Sequence, residues 1–250
     1  MNRRAEDTPP YVAGVDGCPA GWIAVTHPFD QPEQATWHIF ERFDQLLADT
    51  KGFAAIAVDM PIGLPTIANA GGRLADRQAR AVLGARQSSV FAVPARAAIA
   101  CRDYRDACNA ALAHSDPPRK VAKQTFNLFP KIREIDAEMT PARQGHIVEC
   151  HPEVAFWAMN ANESLSEPKK VKSQPYGPGL ALRRKLLTAN GYAAAFLENL
   201  DCPRRIAAAD DFLDACATAW TANRLAAGSA SRFPAIAELD NRGLRMEIVY

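Results

Sequence analysis

The chain has 250 residues, 48% of them hydrophobic and 23% charged, with a formal net charge of +1. This is enough to bury one substantial core, and the charge excludes a globally basic nucleic-acid binder, though not a local basic face among 29 Lys and Arg residues. The six cysteines form no C-x-x-C pair, which argues against a zinc site or a disulfide framework and for reduced thiols.

Residues 1–10 read as a polar, mobile tail ending in two prolines. The start has no apolar signal region, and no stretch approaches roughly 18 apolar residues, so the expectation is a cytoplasmic protein without membrane attachment. Tyr11 to Val25 then contains two apolar runs around Gly17-Cys-Pro-Ala-Gly21, the pattern of a hairpin over about 11–27. Asp16 closes the first run. It either caps the turn or, as a desolvated carboxylate, needs a cation or several donors.

A third strand is expected at Thr36–Phe40 and a short helix from Phe43 to Leu47. The continuous apolar run from Phe53 ends at Asp59, before Pro61 and Pro65 stop further pairing. The order β-β-β-α-β, with acids closing the first and fourth strands, suggests a mixed α/β sheet in which those ends are neighbours.

Residues 66–145 carry few strand signals and read as a largely helical insertion into a single domain spanning 11–250. Arg73, Arg77 and Arg80 lie at i, i+4 and i+7 on one helix face, with Arg86 beyond Gly84. That face is either solvated or set against a phosphate backbone. Tyr104–His114 and Val121–Met139 are expected helices.

Strand character returns at 145–153, where Glu149 closes an apolar segment and Pro152 suits the first helical position. Residues 160–179 form a polar loop with Lys169, Lys170 and Lys172, of a length that is usually functional or mobile. A helix follows from Leu180 to Asn190. The last long helix is expected from about Arg205 to Ala227, rich in small residues and bearing Asp210, Asp211 and Asp214. Asp211 and Asp214 share a face at i, i+3; an acidic first turn favoured by the helix dipole is the alternative. A final strand is expected at 245–250.

Asp16, Asp59, Glu149 and the Asp210/Asp211/Asp214 group are therefore the candidate ligands. Clustered carboxylates without His or Cys select hard cations such as Mg²⁺ or Mn²⁺. Two such ions roughly 3.5–4 Å apart suit phosphodiester hydrolysis, with Arg73, Arg77, Arg80, Arg86 and the lysine loop available to phosphates.

Five segments carry a family resemblance: Gly14-Val-Asp-Gly-Cys-Pro-Ala-Gly-Trp22, Val58-Asp-Met-Pro-Ile-Gly-Leu-Pro65, residues 79–91, Glu149-Cys-His-Pro-Glu153 and Asp210-Asp-Phe-Leu-Asp-Ala215. In this order they resemble the hallmark motifs of the DUF429 family over about residues 12–250. The resemblance implies a nuclease of the ribonuclease H-like fold, with a five-stranded mixed sheet, flanking helices and a central first strand. It places metal-binding acids on the first strand, the fourth strand and a C-terminal helix, which Asp16, Asp59 and either Asp211 or Asp214 match. Glu149, near the fifth strand, either ligates metal or orients His151. His151 is a proton shuttle or a local hydrogen-bonder.

The expected activity is metal-dependent cleavage of DNA or RNA, the alternative being a non-catalytic module that binds nucleic acid or protein. No G-x-x-x-x-G-K-[ST] loop occurs, which argues against a kinase or ATPase. Oligomeric state is not legible.

Overall fold

Strand β1 (Tyr11–Cys18) lies at the centre of the sheet and pairs on both sides. It forms an antiparallel hairpin with β2 (Gly21–Pro28), in which Asp16 faces Ile23. β3 (Thr36–Phe40) continues antiparallel from β2. After helix α1 (Phe43–Asp49), β4 (Ala55–Val58) runs parallel to β1 with Val15 beside Val58. β5 (Ile147–Glu149) extends the sheet parallel to β4. The order β3-β2-β1-β4-β5 is the mixed five-stranded sheet expected, with helices on both faces. In this computed structural model, residues 9–172, 174–198 and 200–250 are described; most of the expected tail, residues 1–8, lies outside them.

Strand alternation divides the core in two. Val12, Val25 and Ala57 face helices α7 (Pro152–Met159), α8 (Gly177–Ala189) and α10 (Ala209–Ala226), with α9 (Ala194–Glu198) between the last two in the chain. Ala13, Val15, Trp22 and Val58 face α1 and the helices inserted between β4 and β5. Those that pack there are α3 (Arg96–Ala100), α4 (Tyr104–Ala113), α5 (Lys123–Phe126) and α6 (Phe129–Glu138), while α2 (Leu74–Val82), also in the insertion, packs in a third cluster with Val154 of α7 and Ile248. The helix expected over 121–139 is two helices, because Pro130 stands in the first turn of α6, where a proline starts a helix but cannot continue one.

Helix α10 packs across β1 at very short range. A Cβ built on Gly14 would overlap the backbone nitrogen of Ala219 and the carbonyl oxygen of Ala215. Glycine at this position and the small residues of α10 therefore set how closely the helix approaches the strand. α10 begins at Ala209, about a turn later than expected.

Beyond the sheet, β6 (Arg232–Leu239) and β7 (Arg245–Val249) form a separate antiparallel ribbon, joined to the segment after β5 by a bridge between Cys150 and Val249. β6 was not expected, since Pro234 breaks its pattern and its register shifts between Phe233 and Glu238. In the lysine loop, Lys170–Val171 pairs with Gln174–Pro175. Among the described residues, no helix is long and apolar enough to cross a membrane.

Candidate metal centre

Side-chain parity decides which strand-end acids can meet. Asp16 lies two residues past Gly14, so it shares the face on which α10 packs. Asp59 follows Val58, and its backbone N–H donates to the Val15 carbonyl at 2.8 Å, which brings the two strand ends together. Asp214 descends from α10 onto the same point. One carboxylate oxygen from each of Asp16, Asp59 and Asp214 lies within 4.8 Å of the others.

The three acids strongly disfavour one another's charge. Burial, then Asp59 and Asp214, pushes Asp16 well above the usual carboxylate range. Burial and Asp214 push Asp59 up to about 8, and burial also raises Asp214. The cation present is Lys169, whose ammonium forms an ion pair with Asp214. Burial pulls this lysine down, but Asp214, Asp16 and Asp59 outweigh it and hold the ammonium above the normal lysine range. Asp214 Oδ1 remains buried without a partner. A set of hard oxygen donors, one of them orphaned, fits a divalent cation of the Mg²⁺ or Mn²⁺ type.

The other expected acids have different places. Val58 pairs with Glu149, so Glu149 points to the opposite face from Asp59. There it meets Arg73 through contacts of 2.7 and 2.5 Å and accepts from the Ile62 N–H at 2.7 Å. Burial raises it to about 7 despite Arg73. Asp211 accepts from the Ala208 N–H at 3.0 Å and so caps α10; burial raises it to about 6. Asp210, in the same turn, pairs with Lys170 at 2.6 Å. The acidic first turn is thus a helix cap and an ion pair, and among the described residues only Asp214 of this group joins Asp16 and Asp59.

The arginine face is also placed differently from the expectation of a phosphate-binding surface. Arg73 is 4% exposed and holds Asp76, Glu149 and the carbonyls of Ile62 and Gly63. Arg77 donates to the Gly72 carbonyl, and Arg80 to those of Gly71 and Val90. Arg77 and Arg80 therefore clamp a glycine turn, while Arg73 is held in the interior. Arg86 is half-buried with an unpartnered Nε, and Lys172 is exposed.

DUF429, described as a protein of unknown function, matches residues 14–239. The chain belongs to the DUF429 family. No curated protein and no solved structure matches it.

In this DUF429 protein Asp16 and Asp59 of the triad line a cleft of about 310 Å³, which reveals three further polar groups. His151 lines it, with Nδ1 buried and unpartnered and Nε2 3.3 Å from the Ser89 carbonyl; burial lowers its pKa. Glu153, 5% exposed, turns one oxygen to buried Arg183 and leaves Oε2 without a partner. Its signal in the sequence was Pro152, which starts α7 and so puts Glu153 in the first turn beside the strand ends. Lys131 crosses Gly17, donates to the Gly21 carbonyl and lies 4.5 Å over the Trp22 ring. Nothing in the local sequence of Lys131 marks it, because its position depends on α6 docking against β1.

Proposed function

We propose that this protein is a ribonuclease H-like, metal-dependent nuclease that hydrolyses phosphodiester bonds in DNA or RNA by a two-metal carboxylate mechanism. The observation that carries the reading is the convergence of Asp16, Asp59 and Asp214 at one end of the central strands. In this reading the three carboxylates hold Mg²⁺ or Mn²⁺, and Glu153, oriented by Arg183, adds its free oxygen to the set. Bound there, the ion supplies a hard Lewis acid that acidifies water and offsets phosphate charge. With its Nε2–H on the Ser89 carbonyl, neutral His151 presents Nδ1 as an acceptor that takes a proton from the attacking water. Lys131, half-buried and lining the same cleft, attracts the phosphate. Six free thiols without paired spacing fit a cytoplasmic setting.

One observation favours the alternative, a non-catalytic module that binds nucleic acid or protein: Lys169 already neutralises part of the acid cluster without a metal. Calorimetry with Mn²⁺ on wild type and Asp16→Asn, followed by cleavage assays on single- and double-stranded DNA and RNA, separates the two. Metal binding and cleavage that both vanish in the variant support the nuclease. Absence of binding at millimolar Mn²⁺ would transfer the assignment to the module.

A further inference from the structure

A second cavity of about 330 Å³ lies behind the metal cleft, between residues 91–95 and the segment 115–125. Phe91 and Val93 line both cavities, so the two adjoin across one wall. Its interior is mainly apolar, formed by Phe91, Val93, Pro94, Ala111 and Val121, while Asn69 and Thr125 contribute an amide and a hydroxyl. That combination of apolar walls with a few placed polar groups is typical of small-molecule sites.

The rim is cationic. Arg119 and Lys120 line the cavity, are exposed and form no ion pair among the described residues. The stretch 96–133 holds eight basic residues against three acidic ones, a surplus of five in a chain whose total is +1. Positive charge is therefore concentrated in the helical insertion rather than spread over the surface.

We infer that this cavity is a nucleotide subsite, taking one base of a single-stranded nucleic acid whose adjoining phosphate in the metal cleft is the one cleaved. Phe91 offers a flat apolar face on which a base stacks, and Arg119 and Lys120 meet the next phosphate. The path of the strand rests on the nuclease reading; the binding of a base does not.

The test uses anisotropy of a short labelled single-stranded oligonucleotide and its abasic counterpart, in metal-free buffer so that nothing is cut. Wild type binds the base-bearing strand about tenfold more tightly. Ala122→Trp, at an exposed position on the cavity rim, removes most of that preference while leaving Mn²⁺ calorimetry as in wild type. Equal affinity for the two strands, or an unchanged preference in Ala122→Trp, overturns the subsite. Should that variant fail to fold, the double variant Arg119→Ala, Lys120→Ala serves instead. It lowers the salt dependence of binding by about two charges, and an unaltered salt slope counts against the proposal. A free nucleoside monophosphate that competes as well as the strand would assign the cavity to free nucleotides and overturn the strand subsite. A protein that cleaves nothing but keeps its preference for bases retires the nuclease reading and leaves the subsite standing.

Discussion

Arg73 and Glu149 meet in the interior through two contacts of 2.5 and 2.7 Å, and the same guanidinium holds Asp76 at 2.7 Å. One cation thus serves two buried carboxylates. Removing it leaves both without compensation, whereas neutralising one acid leaves a balanced pair. Arg73→Met is expected to cost about 3–5 kcal/mol of stability, and Glu149→Gln clearly less, in urea denaturation. A phosphate-binding Arg73 would behave in the opposite way, with little effect on stability and a large one on nucleic-acid affinity.

How far this was legible depends on what each residue needed from elsewhere. Asp16 and Asp59 stood out because each closes an apolar run, a property of one strand alone. Glu149 had the same local pattern, yet its side follows from the pairing of Val58 with Glu149, which spacing does not supply. Periodicity put Arg73, Arg77 and Arg80 on one helix face, but α2 begins at Leu74, so Arg73 turns inward to Glu149 as the residue before the helix, while Arg77 and Arg80 reach the Gly71–Gly72 carbonyls. Asp211 and Asp214 looked equivalent at i, i+3. The start of α10 at Ala209 makes the first a cap and the second a member of the triad.

Stability of the metal-free protein falls as pH rises. Asp59 is held up to about 8, Glu149 to about 7 and Asp211 to about 6, all by burial. Each therefore keeps its proton in the folded state at a pH where the unfolded chain has lost it. The folded state binds more protons between about pH 4 and 8, so the slope of stability against pH is negative there, about 1.4 kcal/mol per pH unit for each fully differing proton. Denaturation midpoints should drop across this window, and Asp59→Asn should flatten its upper half. Because protons compete with metal for the same oxygens, Mn²⁺ affinity should rise over the same range. A pH-independent midpoint would refute the assignment of these buried acids.

Lys169 acts as the internal counter-ion of the triad, through its ion pair with Asp214. Lys169→Gln removes a cation that competes for the same oxygens, so Mn²⁺ binds about tenfold more tightly by calorimetry. Metal-free stability declines in the same variant, since three clustered acids then have no partner. Trypsin cleavage at Lys169–Lys172 in wild type should speed up when Mn²⁺ is added, as the lysine gives up its place. Unchanged affinity in Lys169→Gln would mean that the ammonium and the metal occupy different positions.

Gly14 sets the distance between β1 and α10, and with it the meeting of Asp16 and Asp214. A methyl group at Gly14 overlaps backbone atoms of Ala215 and Ala219, which cannot rotate away as a side chain would. Gly14→Ala must push α10 outward, an overpacking strain of about 3 kcal/mol or more. The shift carries Asp214 away from Asp16 and Asp59, so Mn²⁺ affinity falls with stability. Gly145→Ala is the control: a Cβ there meets nothing within 4 Å, and its φ is not in the left-handed region. That change should be neutral or stabilising by about 0.4–1 kcal/mol. Calorimetry under conditions where Gly14→Ala remains folded separates the two effects. Full metal affinity in a destabilised Gly14→Ala would show that the triad tolerates movement of α10, and that the glycine serves packing alone.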